Sequence, residues 1–208
     1  MNKINYDLEM QNIINGLGEE KPGLLLHSCC APCSTAVIER LFGNFDITIF
    51  YFNPNITESE EYNLRRDEQK RYLSEKYGES VAFLDGRYKS REFFEIAKGL
   101  EKEPEGGARC VKCFELRLGE TAKIAKQGGY RYFCTTLTVS PHKNAELING
   151  IGKRIGEEIG VEFLPSDFKK RGGYLRSCKL SEESGLYRQN YCGCIYSKYA
   201  HIKAEDEQ

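Results

Sequence analysis

Leu24-Leu25-Leu26-His27-Ser28-Cys29-Cys30-Ala31-Pro32-Cys33-Ser34-Thr35-Ala36-Val37-Ile38 is the stretch that decides the fold. The apolar run Leu24 to Ser28 reads as a buried strand, and Pro32 suits the opening of a helix, where a missing N–H costs little. Ala36, Val37, Ile38 and Leu41 carry that helix on from Ser34 to Phe42. Three cysteines stand at the junction. The first turn of a helix lowers a thiol's pKa through its free N–H groups and positive dipole end, and thiolates are soft ligands for iron-sulfur clusters, zinc or copper(I). A thiolate-built metal or redox centre is therefore the leading expectation. Simple packing explains one of two adjacent cysteines better than it explains three.

Outward from this unit, strands and helices alternate. Ile47 to Phe52 is β-branched and aromatic, a second buried strand stopped by Asn53-Pro54-Asn55. Thr57 with Glu60 reads as a capping box opening a polar helix to about Lys76, and Val81 to Leu84 as a short strand. A helix over Ser90 to Leu100 leads to an acidic loop, Glu101 to Gly107, expected to be mobile. The helix begun by Cys110-Val111-Lys112-Cys113 stops at Gly128-Gly129, Tyr130 to Leu137 is the next strand, Asn144 to Gly160 the next helix, and Val161 to Leu164 the last strand. From Phe168 the chain turns basic and Tyr-rich, briefly helical after Ser181, and ends in a third cysteine cluster. This order implies an α/β fold with a mostly parallel sheet, helices on both faces and a Cys-containing C-terminal segment. Ligands then bind at the carboxyl ends of the strands, which would gather Cys29 to Cys33, Asn53 to Asn55 and Thr135 to His142 in one crevice.

At 208 residues the chain fits one α/β domain, 1–208, with 168–208 packing as a segment on the active site. A net charge of -1 neither demands nor excludes nucleic acid, so any such contact rests on local patches. No stretch approaches the roughly 20 apolar residues of a membrane span, and Met1 to Gly18 has no signal-peptide core, so a cytoplasmic protein with no membrane partner is expected. In a reducing compartment nine cysteines, an odd number, point to metal binding or catalytic redox instead of structural disulfides.

Cys110-x-x-Cys113 sets two sulfurs on one helical turn, and with Cys29 and Cys30 makes four thiolates, the number for a Cys₄ zinc site or a [4Fe-4S] cluster. Adjacent cysteines are a poor bite for one tetrahedral ion, so the spacing leans toward the cluster. Cys192-Gly193-Cys194 suits a strained redox disulfide, ligands to a second metal, or packing, and Cys33 is a candidate for that second group. His27 reads as structural, whereas Ser140-Pro141-His142-Lys143-Asn144 after a strand suits an anion or substrate loop. Arg65, Arg66, Lys169, Lys170, Arg171, Arg176, Lys179 and Arg188 could contact phosphates or simply face solvent; Tyr174, Tyr187, Tyr191, Tyr196 and Tyr199 could stack on bases or belong to the core.

Five ordered motifs resemble one family. They are Leu24-Leu25-Leu26-His27-Ser28-Cys29-Cys30-Ala31-Pro32-Cys33; Tyr51-Phe52-Asn53-Pro54-Asn55-Ile56 with Glu61-Tyr62; Arg109-Cys110-x-x-Cys113-Phe114-Glu115-x-Arg117-Leu118; Thr135 to Asn144; and Tyr191-Cys192-Gly193-Cys194. Together they are similar to the epoxyqueuosine reductase QueH family. The resemblance implies a Rossmann-like (HUP/PP-loop-like) sheet and an iron-sulfur oxidoreductase that removes the epoxide oxygen of epoxyqueuosine in tRNA, the last step to queuosine, with an external electron donor. By motif, Cys29, Cys30, Cys110 and Cys113 would hold a [4Fe-4S] cluster and Cys192 with Cys194 would be the redox pair. Some members carry an adjacent mononuclear iron and an Asp where this chain has Cys33, which makes Cys33, Cys192 and Cys194 candidate ligands of a second iron as well as catalytic residues. Substrate contacts would fall to Asn53, Asn55, Arg117, Ser140, His142, Lys143 and Asn144. The alternative is a zinc-stabilised nucleic-acid-binding module without redox activity. A nucleotide-binding α/β enzyme is disfavoured because the first strand lacks a Gly-rich phosphate loop.

Overall fold

A computed structural model describes residues 4–206. In chain order the elements are α1 (Tyr6–Gly16), β1 (Gly23–His27), α2 (Ala31–Leu41), β2 (Asp46–Tyr51), α3 (Ser59–Tyr77), β3 (Ala82–Asp85), α4 (Ser90–Ala97), α5 (Ala108–Gln127), β4 (Tyr132–Thr135), α6 (Ala145–Ile159), β5 (Glu162–Phe163), α7 (Gly173–Glu183) and α8 (Ile195–Asp206). All strand pairs are parallel and the sheet order is β3-β2-β1-β4-β5. The Rossmann-like α/β architecture expected from the sequence is thus present, with five strands where five were read. Among the described residues no helix is long and apolar enough to cross a membrane.

Strand periodicity sorts the core into two layers. Side chains alternate across a strand, so Leu24 and Leu26 face one way and Leu25 the other. Leu24, Leu26, Ile47, Ile49 and Cys134 pack with Met10 of α1, Val37, Ile38 and Leu41 of α2, and Tyr72 and Leu73 of α3. Leu25, Phe50 and Phe133 pack on the other face with Leu118, Ala122 and Ala125 of α5 and Ile148, Ile151 and Ile155 of α6. Such alternation buries both faces of β1 and β4, as the centre of a parallel sheet requires, while the edge strand β3 leaves Ala82, Leu84 and Asp85 exposed.

Several local expectations change. α3 starts from Glu58, with no side-chain cap, so Thr57 and Glu60 do not form a capping box; the Thr57 carbonyl instead accepts from the Tyr88 hydroxyl. The acidic loop is strapped down: the Arg109 guanidinium donates to the carbonyls of Leu100, Glu101 and Glu103 at 3.1, 3.0 and 2.6 Å. The helix in the basic tail is α7, which begins at Gly173, well before Ser181, and packs on α2. α1 and α8 have no counterpart in the sequence expectations. α8 has almost no amphipathic pattern and lies beyond the last cysteine cluster. Gly128 and Gly129 do close α5, Gly129 at φ 70, and Pro32 does sit in the first turn of α2.

The site follows from this topology. The chain leaves β1 for α2 on one face and β4 for α6 on the other, so the carboxyl ends of these neighbouring strands open a crevice. Cys29 to Cys33 stand on its β1 side. Thr136 to Lys143, which starts as a turn of 3₁₀ helix, stands on its β4 side.

Candidate thiol centre

Seven thiols from three segments meet at this crevice. Cys30 is the extended N-cap residue of α2, which turns its sulfur back to 3.8 Å from that of Cys29; the sulfurs of Cys29, Cys30 and Cys33 all lie within 4.8 Å of one another. Cys110 and Cys113 occupy the first turn of α5, where the backbone N–H of Gly106 donates to Cys110 Sγ at 3.2 Å. Cys113 and Cys194 pack together with Phe93 and Ala97, and Cys192 lies against them. Cys33 therefore stands with Cys29 and Cys30 by sulfur distance, while sharing the wall of one cavity with Cys192. All nine cysteines are free thiols, and Cys134 and Cys178 stand apart from the group.

Two of the three sulfur groups have one thiol held toward the thiolate form. Hydrogen bonds from Cys30 and Cys33 hold the Cys29 thiol well below the ordinary range, with the Arg117 and Lys143 cations assisting. The same bond to Cys29 pushes Cys30 up to about 12, and Cys33 rises likewise. A hydrogen bond from Cys194 lowers Cys192 to about 5, again helped by Lys143 and Arg117, and raises Cys194. Burial pushes Cys113 up to about 11 and Cys110 upward.

A polar layer beneath the thiols fixes the cation. Arg117 is 2% exposed; its Nη2 donates to Asn53 Oδ1 at 2.6 Å and its Nε to His27 Nε2 at 3.2 Å. With Nε2 an acceptor, the neutral imidazole carries its proton on Nδ1, which donates to Thr135 Oγ1 at 2.9 Å. Burial, then the neighbouring Arg117 charge, lower His27 to about 3. Asn53 Nδ2 completes the layer on the Ser28 carbonyl at 2.9 Å. Asn53 is 1% exposed and is occupied by these two bonds, one layer below the cavity wall.

A second buried arginine fastens the last cysteine pair. Arg65, also 2% exposed, is held by Glu61 and donates to the carbonyls of Cys192 and Tyr191 at 3.4 and 3.5 Å, with its guanidinium over the Tyr191 ring. Asn55 Nδ2 donates to the Cys192 carbonyl at 3.3 Å, and Thr57 N–H to that of Gly193 at 3.2 Å. Gly193 is required here: its φ is 105, and a Cβ would lie 2.8 Å from Ile56 Cγ1. The sequence offered a clue to this clasp only in Glu61 and Arg65, spaced for an i,i+4 pair.

Two cavities open onto the thiols. The larger, of about 550 Å³, is lined among others by Cys29, Cys33, Cys192, Lys143, Tyr174 and Gln189; the smaller, of about 90 Å³, by Cys110, Cys113, Cys192, Cys194, Asn55 and Asn144. Arg117, His142 and Lys143 line both, and Ser140 lines the larger. Asn144 also N-caps α6 through Leu147 N–H at 3.2 Å. Of the basic residues read as possible phosphate contacts, Arg66, Lys169, Arg171 and Arg176 pair with carboxylates, whereas Arg188 lines the larger cavity. Tyr174 and Tyr191 line it too, Tyr196 packs beneath Arg109 and against Phe93, and Tyr187 and Tyr199 are exposed.

Comparison with known proteins agrees with the motif reading. The model of a family described as epoxyqueuosine reductase QueH matches residues 24–200. Proteins of that name are 44% identical over 200 residues in Streptococcus pyogenes serotype M1, covering 94% of this chain and 78% of the relative. In Staphylococcus epidermidis the identity is 45% over 202 residues, covering 94% and 85%. In Thermotoga maritima it is 37% over 177 residues, covering 84% and 89%.

Proposed function

The chain belongs to the epoxyqueuosine reductase QueH family, an oxidoreductase of queuosine biosynthesis, and on that premise we propose that it deoxygenates epoxyqueuosine in tRNA at its thiol-lined crevice. The reaction breaks both C–O bonds of the epoxide and forms a C=C bond. It consumes two electrons and two protons, and the oxygen leaves as water. An external donor supplies the electrons, and the reducing thiol chemistry fits a cytoplasmic setting.

The donor set fits a [4Fe-4S] cluster on Cys29, Cys30, Cys110 and Cys113. These are soft ligands from two helix N-termini, next to the buried Arg117 cation, which pairs with no carboxylate among the described residues. Such a cluster, when bound, supplies one electron at a time at low potential. Cys33, Cys192 and Cys194 remain for the second redox element, as a dithiol or as ligands of a neighbouring iron. The observation that carries the reading is the convergence of six thiols on two cavities sharing Cys192, Arg117 and Lys143, with Cys30 behind them 3.8 Å from the Cys29 sulfur.

The other residues divide the work of binding and protonation. Tyr174 and Tyr191 offer aromatic faces and Arg188 a cation for a flipped-out nucleotide in the larger cavity. Ser140 and His142 line the β4 side with polar groups, and the Lys143 ammonium is the donor set to hydrogen-bond the departing epoxide oxygen. The Lys143 and Arg117 cations favour the thiolate form of Cys29 and Cys192, and Asn55 with Arg65 orients Cys192. From the segment 168–208, Tyr174, Ser177, Arg188 to Cys192 and Cys194 wall the crevice as part of the same domain, of which 1–3 and 207–208 lie outside the described residues. The test is conversion of epoxyqueuosine tRNA by anaerobically prepared protein with a chemical reductant, read by mass spectrometry of the digested nucleosides. Turnover must vanish in Cys29→Ser and Cys110→Ser, and also in Cys192→Ser.

A further inference from the structure

Gln189 sits in the connection between α7 and α8, past Leu186, which anchors that connection in the first core layer. Its amide Nε2 donates to Cys30 Sγ at 2.9 Å, a short contact for an N–H and a sulfur. Its Oε1 is buried and has no hydrogen-bond partner among the described residues. Arg188, Gln189, Asn190, Tyr191 and Cys192 form one continuous wall of the larger cavity. One side chain thus joins a thiol of the centre to the surface that a substrate would press against.

We propose that Gln189 is a positioning residue that couples occupancy of the substrate cavity to the redox poise of the thiol centre, through its N–H bond to Cys30 and its unpaired carbonyl oxygen, which a nucleotide pressed against residues 188–192 reaches once the side chain turns toward it. The inference rests on Cys30 being a cluster ligand. A hydrogen bond donated to a ligand sulfur stabilises the more negative, reduced centre and raises its potential. Leaving a buried carbonyl without a donor is unfavourable, and an N–H or O–H of the bound nucleotide would relieve this. Substrate that engages Oε1 would fix the amide plane and strengthen the bond on the opposite side of the same group, so the centre becomes easier to reduce when substrate is present. Nothing is transferred through Gln189 itself. Its contribution is to make electron uptake favourable when there is an epoxide to spend the electrons on.

The test is an EPR-monitored redox titration of anaerobically reconstituted protein, with and without saturating epoxyqueuosine tRNA, on wild type, Gln189→Leu and Gln189→Glu. Both variants should take up the same iron as wild type. Without tRNA, Gln189→Leu should have a more negative midpoint, and Gln189→Glu, which also adds a negative charge, a still more negative one. Addition of tRNA should raise the wild-type midpoint and leave that of Gln189→Leu unmoved. Variants that titrate with the wild-type midpoint, or that keep the full response to tRNA, overturn the coupling while leaving the cluster reading intact. Loss of the cluster signal in wild type, with one ion bound per chain, overturns the cluster reading and this inference with it.

Discussion

Arg117→Met removes the buried guanidinium and keeps most of its apolar stem, so its consequences can be worked from the neighbours. Two acceptors lose a donor: Asn53 Oδ1 at 2.6 Å and His27 Nε2 at 3.2 Å. They do not lose equally. The Phe52 carbonyl is 3.2 Å from His27 Nε2, so the imidazole can move its proton to Nε2, donate there, and accept from the Thr135 hydroxyl at Nδ1. Asn53 has no such recourse, because its Nδ2 is already on Ser28. One stranded buried acceptor costs ~1–3 kcal/mol. For a domain of this size that lowers Tm by ~2–12 °C. The assay is thermal unfolding under anaerobic conditions, compared with Asn53→Leu and the double variant. Removing both partners should cost less than the sum of the single losses, by about 1 kcal/mol or more. A strictly additive double variant, or an Arg117→Met protein with wild-type Tm, would refute the view that this layer is a coupled polar unit.

Other consequences are more local. Cys29→Ser, Cys30→Ser, Cys110→Ser or Cys113→Ser should each lose cluster iron, whereas Cys33→Ser should retain it and lose turnover; iron analysis beside activity separates the two outcomes. Gly193→Ala forces a side chain onto φ 105 and into Ile56, at a cost of ~1–3 kcal/mol to the last cysteine loop, and should impair turnover more than iron content; equal turnover would contradict the proposed need for Cys192 to be held in place. Cys134 is fully buried and its thiol is pushed up to about 12 by burial, so iodoacetamide on the native protein at pH 8 should modify the half-buried Cys178 and leave Cys134 intact in peptide mass analysis. Arg65→Met should loosen Tyr191 to Cys194, seen as faster amide exchange in that segment with little change in β1, β2 or β4.

Much of this arrangement was legible in the sequence because it rests on local, periodic signals. Leu24 to His27, Ile47 to Phe52 and Tyr130 to Leu137 are apolar runs of strand length, and their alternation with helices fixes a parallel sheet whose crevice lies where the cysteines are. The thiol segments were found by residue type and spacing alone. The sequence could not reveal pairings that depend on distant backbone. Gln189 meets Cys30 across 159 positions, and Arg117 meets Asn53 across 64; neither leaves a periodic trace. Asn53 reads as a site residue because it follows a strand, yet its carbonyl and amide are both committed beneath the cavity. α8 escaped notice because its residues show no apolar stripe, and the Thr57 capping box failed because the segment from Asn53 to Thr57 is drawn toward Gly193 instead.

The proposed reduction of the epoxide through an iron-sulfur centre and the alternative of zinc-stabilised binding differ in what the thiol crevice does to its substrate. Single-turnover conversion of epoxyqueuosine tRNA by dithionite-reduced protein, loaded either with about four irons per chain or with zinc, separates the two most directly. Queuosine should form with the brown, iron-loaded protein only, with bleaching on reduction and recovery of colour as product forms. Equal conversion by colourless, zinc-loaded protein would contradict the proposed reduction.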